Sequence, residues 1–178
     1  MLNPYKKLVV DFYSDADFAG LLEHENTQDP IFYRSGTEFV VTFANFSLLW
    51  VSKLQTDIFL YTLQSEYIAL SRYGRALIPL KTLIKEVIDT LGIDSEKLEF
   101  LLSSNVYEDN NGAIVVATIL RMTPTSKQIS VKYHWFSQHV GNGFFIREIE
   151  SKNQRANIFT KSLQGGIFVR IGKLLFGW

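Results

Sequence analysis

The sequence predicts a mixed β-sheet with helices packed on it. Three observations carry this expectation. Short β-prone apolar runs with a hairpin signal come first, a long segment with helical spacing follows, and strands and helices then alternate to the C-terminus. The 178 residues fit one domain spanning the whole chain, 1–178. A hydrophobic share of 47% against 20% charged allows a sizeable core and excludes wholesale disorder.

Residues 8–13 read as the first strand, ending in Ser14-Asp15-Ala16-Asp17. Residues 20–37 are polar and read as a loop. Residues 39–44 and 48–52 form the two arms of a hairpin joined by Asn45-Phe46-Ser47, with 55–61 continuing or following the second arm. The period then changes. Tyr67, Leu70, Leu77, Leu80, Leu83, Ile84, Val87, Ile88 and Leu91 recur at helical spacing, Gly92 stops the helix, and Pro79 predicts a kink or a division. Residues 104–108 read as a strand, after which Asp109-Asn110-Asn111-Gly112 opens a second helix through Leu120. A helix over 128–140 stops at Gly141, and a strand covers 143–150. A C-terminal helix starts at Ala156, with an interruption near Gly165-Gly166. Crossover helices imply parallel neighbours late in the chain. Phe39, Phe43, Trp50, Tyr67 and Leu70 are assigned to the core.

Composition narrows the chemistry. The chain has no Cys, which excludes disulfides, thiolate metal sites and a Cys nucleophile, and three His make a His-rich metal site improbable. The apolar run after Lys6-Lys7 is too short for a signal peptide, and no window is apolar enough to span a membrane. An intracellular protein, cytoplasmic or nuclear and not secreted, is expected, with neither a membrane partner nor a small-molecule cofactor. Net charge is zero but uneven: residues 126–178 carry eight Lys/Arg against two Glu, a net +6, so the first 125 carry −6. This asymmetry fits a polyanion-facing side, and equally ordinary surface variation.

Carboxylates are the remaining metal ligands. Asp15 and Asp109 fall where strands end, and sites in open α/β sheets gather at the carboxyl ends of strands. Glu66, opening the long helix, can point to the same place. Carboxylates ~5 Å apart repel by roughly 3 kcal/mol per pair at an effective dielectric near 20, so a cluster needs a proton or a bound divalent cation. Hard oxygen ligands select Mg²⁺ or Mn²⁺. The plainer reading makes Asp15 a turn residue, Asp109 a helix cap and Glu66 a solvated first-turn acid.

Six segments carry a further signal: YSDADFAG (13–20), LLWVSKLQT (48–56), SEYIALS (65–71), VYEDNNGAI (106–114), SKQISVKYHWF (126–136) and NIFTKSL (157–163). With these in order, the sequence resembles the ribonuclease H domain of Ty1/copia-type retrotransposon Pol polyproteins. The resemblance covers nearly the whole chain. It implies the RNase H fold, a mixed five-stranded sheet with helices on both faces. It also implies cleavage of the RNA strand of RNA–DNA hybrids with two divalent ions, Mg²⁺ or Mn²⁺. Three of the family's four acidic ligands fall on Asp15, Glu66 and Asp109. The fourth falls on Asn157, which is neutral and a poorer ligand, so one ion should be held more weakly. The implied partners are the hybrid and the reverse-transcriptase domain of the parent polyprotein, of which this chain looks like the tail.

Other departures from the family pattern are Ser35-Gly36-Thr37-Glu38-Phe39 before the second strand, Phe59 and Tyr61 before Glu66, and Lys127-Gln128-Ile129. Bulky Phe59 and Tyr61 would overpack a strand, and Glu38 is harmless if it faces solvent. Together with Asn157 they support a second reading: a catalytically inactive remnant, decaying or domesticated, that keeps the fold and binds nucleic acid or protein. Lys127, Lys132 and His134 are candidate phosphate contacts, and Gln64, Asn110 and Asn111 candidate sensors of the RNA strand. Against these stand a solvated Lys132, a packed His134 and helix-capping asparagines.

Overall fold

The computed structural model describes residues 9–20, 29–92, 104–118, 136–141 and 144–176. Alternation along Val10–Asp15 (β1) sends Phe12 to one side of the sheet and Tyr13 to the other. β1 pairs antiparallel with Gly36–Phe43 (β2), which pairs antiparallel with Phe46–Leu54 (β3). On its other edge β1 runs parallel to Ser104–Glu108 (β4), and β4 parallel to Phe145–Glu148 (β5). The order β3-β2-β1-β4-β5 makes one five-stranded mixed sheet of RNase H-like topology. In the antiparallel half, β2 and β3 are joined by a two-residue turn. The parallel half needs crossovers, which bring the C-terminal ends of β1 and β4 together at one edge.

Helices cover both faces. The first half of Thr62–Thr90 (α1) buries Tyr67, Ile68, Leu70, Tyr73 and Leu77 in one core with Phe12, Phe39, Val41 and Val106, joined by Ala113 and Ala117 of Asn111–Thr118 (α2). On the opposite face, Tyr13 and Val40 join Ala156 with Ile171 and Leu175 of Gly165–Phe176 (α4). A single helical turn, Asn157–Thr160 (α3), precedes α4. Short 3-10 turns lie at Pro30–Tyr33, Phe136–His139 and Ser151–Asn153.

Several expectations need correction. β1 extends to Asp15, which is a strand residue and not the turn after it. The hairpin turn is Ala44-Asn45, both at positive φ (50° and 71°), the two-residue geometry that matches strand twist; Phe46 and Ser47 already belong to β3. α1 runs unbroken through Pro79. Proline forfeits one backbone bond there, and the rest of a 29-residue ladder carries the helix across. Phe59 and Tyr61 lie outside any strand and overpack none: Phe59 packs on the core edge, and Tyr61 precedes α1 with its ring mostly exposed. Trp50 is not core, because β3 is an edge strand and the indole is 57% exposed. Glu38 does not face solvent; it is buried opposite Asp15. Of the helix expected over 128–140, residues 136–139 form a 3-10 turn, and the part before 136 lies outside the described residues.

Close approach fixes one glycine. A Cβ on Gly74 of α1 would stand 2.3 Å from the ring of Phe136, which is fully buried between α1 and Phe144. Gly74→Ala should therefore destabilise the chain by about 1–3 kcal/mol, the usual cost of overpacking. A urea titration would register this as a lower midpoint at unchanged slope. An unchanged midpoint would mean that Phe136 is free to move aside.

Candidate metal centre

Two buried glutamines set the frame of the site. The Gln55 amide nitrogen donates to Thr37 Oγ1 (2.8 Å) and lies within bonding distance of the carbonyls of Ser65 (3.0 Å) and Gly36 (3.1 Å). This ties the start of β2 to α1 at the residue before Glu66. Gln154 donates to the carbonyls of Ser14 (2.7 Å) and Tyr107 (3.1 Å). The β1–β4 register ends at Tyr13↔Tyr107, so this side chain bridges the two strands where they stop pairing, just before Asp15 and Asp109. Both glutamines are fully buried, where each unmade hydrogen bond costs about 1–3 kcal/mol.

Within this frame the carboxylates of Asp15, Glu66 and Asp109 converge, with one oxygen from each inside a span of 4.8 Å. The Asp15 and Glu66 side chains are buried, and that of Asp109 is 10% exposed. Thr160 donates its hydroxyl to Asp15 Oδ2. Lys161 Nζ lies 3.1 Å from Asp15 Oδ1 and 3.9 Å from Asp109 Oδ2. Glu66 Oε2 is buried with no hydrogen-bond partner.

Burial dominates the electrostatics. It pushes Glu66 up to about 10, with Glu108, Asp15 and Asp109 adding repulsion. Asp15 rises to about 6, because burial outweighs the attraction of Lys161 and the hydrogen bond from Thr160. Behind the triad, fully buried Glu108 accepts a hydrogen bond from the Asn110 N–H (3.0 Å), yet burial still holds it well above the usual carboxylate range. Across β2, burial and then Asp17 raise Glu38 to about 8. For Lys161, burial would lower the ammonium, but Asp15 and Asp109 outweigh it and hold it above its ordinary value.

The donor set fits a divalent cation. All three side chains offer hard oxygens, one of them a buried orphan, and a dication would offset the burial and repulsion that raise Asp15 and Glu66. Beside the triad a polar cleft of about 640 Å³ is lined by Asp17, Thr160 and Lys161 among others.

Sequence reasoning reached the triad and placed Asn157 near it. Asn157 is buried; its amide nitrogen donates to Ser151 O (2.8 Å) and Ser151 Oγ (3.1 Å), so its oxygen faces Lys161 Nζ (3.1 Å). Asn110 caps α2 by accepting from the Ala113 N–H (3.0 Å), and Asn111 is exposed at the start of that helix. Gln64 is buried, its side-chain oxygen 3.4 Å from the Leu60 N–H. Lys127, Lys132 and His134 lie outside the described residues. Missed were Thr160, Lys161 and Glu108. The signal for Lys161 was its four-residue spacing from Asn157, which stacks two side chains on one face of a helical turn.

No protein-family model matches the sequence. Over 150 residues, 84% of its length, the chain is 30% identical to the retrovirus-related Pol polyprotein from transposon TNT 1-94 of Nicotiana tabacum. The chain is thus related in sequence to one segment of a retrotransposon Pol polyprotein. It spans about a tenth of that relative's length. Among solved structures, similarity extends to the N-terminal RNase H domain of a Mycobacterium tuberculosis protein, at TM-score 0.49 and 10% identity, covering 93% of this chain and 97% of that one. It extends also to LC11-RNase H1 bound to an RNA/DNA hybrid, at TM-score 0.48 and 17% identity over 83% and 91% of the two chains. The fold assignment rests on strand order and direction rather than on these likenesses. Among the described residues, no helix is long and apolar enough to cross a membrane.

A pH dependence follows from the raised carboxylates. A group whose folded pKa lies above its unfolded value stabilises the fold while protonated, and that contribution is lost as pH rises toward the folded pKa. Glu66, with an ordinary value of 4.5 and a folded value of about 10, dominates the window. In EDTA, thermal stability should fall as pH is raised from about 5 to 8, and Glu66→Gln should flatten the fall. Calorimetry across that range checks it; a metal-free stability that rises over the same interval would contradict the assignment.

Proposed function

We propose that the chain is a divalent-cation-dependent nuclease that hydrolyses the RNA strand of RNA–DNA hybrids. The observation that carries this reading is the buried convergence of Asp15, Glu66 and Asp109 at the ends of β1 and β4 and the start of α1, in a chain related to retrotransposon Pol polyproteins. Asp15, Glu66 and Asp109 would hold Mg²⁺ or Mn²⁺. Such an ion, when bound, lowers the pKa of a water and offsets charge on a phosphodiester. The protein's own part is positional. Gln55 and Gln154 hold the carboxylate-bearing backbone in place, and Thr160 orients Asp15. The cleft along Asp17, Thr160 and Lys161 gives a strand of nucleic acid room beside the acids. Lys127, Lys132 and His134, from the basic C-terminal third, would contact phosphates, and Asn111 would stand close enough to the site to touch the RNA strand. The family's working partner for such a domain is a reverse transcriptase in the same polyprotein. We extend that role to this chain, with residues 1–178 acting as one unit.

Asn157 favours a second reading, an inactive domain that retains the fold and binds nucleic acid, because the fourth family ligand has lost its charge. Cleavage of an end-labelled RNA–DNA hybrid in Mg²⁺ and in Mn²⁺ separates the two. The nuclease reading expects metal-dependent cutting that EDTA stops. Asp109→Asn should lower it by about 100-fold or more, since even removing groups that merely support metal ligands costs 10–100-fold. Hybrid binding without cutting, by folded protein in either metal, would leave the inactive reading standing.

A further inference from the structure

Lys161 occupies a place that the nuclease reading leaves unexplained. Asn157 opens α3, and Lys161 follows one helical turn later, its N–H bonded to the Asn157 carbonyl (3.1 Å). Both side chains therefore lie on one face. The Lys161 ammonium stands 3.1 Å from Asp15 Oδ1 and 3.1 Å from Asn157 Oδ1. Ser151 fixes the asparagine's orientation: its carbonyl takes the amide nitrogen at 2.8 Å, so only the oxygen can face the lysine. Thr160 occupies the other oxygen of Asp15. The Asp15–Asn157 side of the site is thus closed by a cation that belongs to the chain. The unpartnered Glu66 oxygen remains for an external ion.

We propose that Lys161 is a built-in counter-cation filling one of the site's cation positions, so that the chain holds a single divalent ion, on Asp15, Glu66 and Asp109. This rests on the reading of those three residues as metal ligands and departs from the two-ion expectation. Charge decides between the counts. Three carboxylates carry −3; one dication and the ammonium neutralise them. Two dications beside the ammonium would leave a surplus of +2 in a largely buried pocket, which desolvation disfavours strongly. A neutral asparagine suits this arrangement. It gives the ammonium an oxygen and gives Ser151 a donor, whereas an aspartate would turn a carboxylate oxygen toward the Ser151 carbonyl.

Mn²⁺ counting on the full 178-residue chain tests this, with bound ion measured as loss of the free-ion electron paramagnetic resonance signal. Only ions lost in Asp15→Asn are counted, since Asp15 belongs to the triad and borders the place held by Lys161. Wild type should bind one. Asn157→Asp alone should still bind one, because the ammonium stays in place. Asn157→Asp with Lys161→Gln should bind two. In EDTA, Lys161→Gln should melt at lower temperature than wild type, with Mn²⁺ restoring more stability to the variant than to wild type. A wild-type count of two overturns the proposal and leaves the metal-site reading intact. A count of zero overturns both. An unchanged melting temperature of Lys161→Gln in EDTA also overturns it, and the wild-type count decides even if the double variant fails to fold.

Discussion

Three carboxylates held within 4.8 Å of one another and shielded from water repel one another, and every pair at ~5 Å costs roughly 3 kcal/mol at an effective dielectric near 20. The surrounding structure is arranged around that repulsion. Two buried glutamines supply the mechanical side, tying β2 to α1 beside Glu66 and β1 to β4 beside Asp15 and Asp109. The electrostatic side falls to Thr160 and Lys161, and to the burial that raises Glu66 and Glu108 above the usual carboxylate range. Burial and mutual repulsion favour the neutral forms of Asp15 and Glu66 while no cation is bound. With one bound, the triad would supply its ligands.

The sheet explains why the acids meet where they do. β1 is central, with hairpin partners on one edge and parallel partners on the other. Parallel pairing puts the carboxyl ends of β1 and β4 side by side, so two acids far apart in sequence end at one place. Because apolar layers cover both faces, the start of α1 is seated rigidly enough to add Glu66. The chemistry is concentrated at one edge and the stability in two cores, so site residues can change without dismantling the fold.

Much of this was legible in the sequence. The short β-prone runs at 8–13 and 104–108 and the helical period from Tyr67 to Leu91 pointed to the elements. The motif order gave the topology and the triad. What escaped notice depends on tertiary placement. Trp50 has the same β-prone neighbours as a core residue, and only its position on an edge strand exposes it. Glu38 looks like a surface acid until the register sets it opposite Asp15. Ala44 gives no warning of a left-handed turn, since glycine and asparagine are the usual signals. Gln55 and Gln154 are ordinary glutamines in sequence; their role exists only because strand ends and a helix start leave carbonyls around them. Lys161 was hidden because its partner Asp15 lies 146 residues away.

On the reading proposed above, the protein's own ammonium and one external dication share the neutralisation of this buried acid cluster. Anomalous diffraction at the manganese edge, on crystals grown with Mn²⁺, tests it most directly. A single peak is expected among Asp15, Glu66 and Asp109, with the Lys161 ammonium still against Asp15 and Asn157. No peak at the triad, or a second peak between Asp15 and Asn157 with Lys161 displaced, would contradict it.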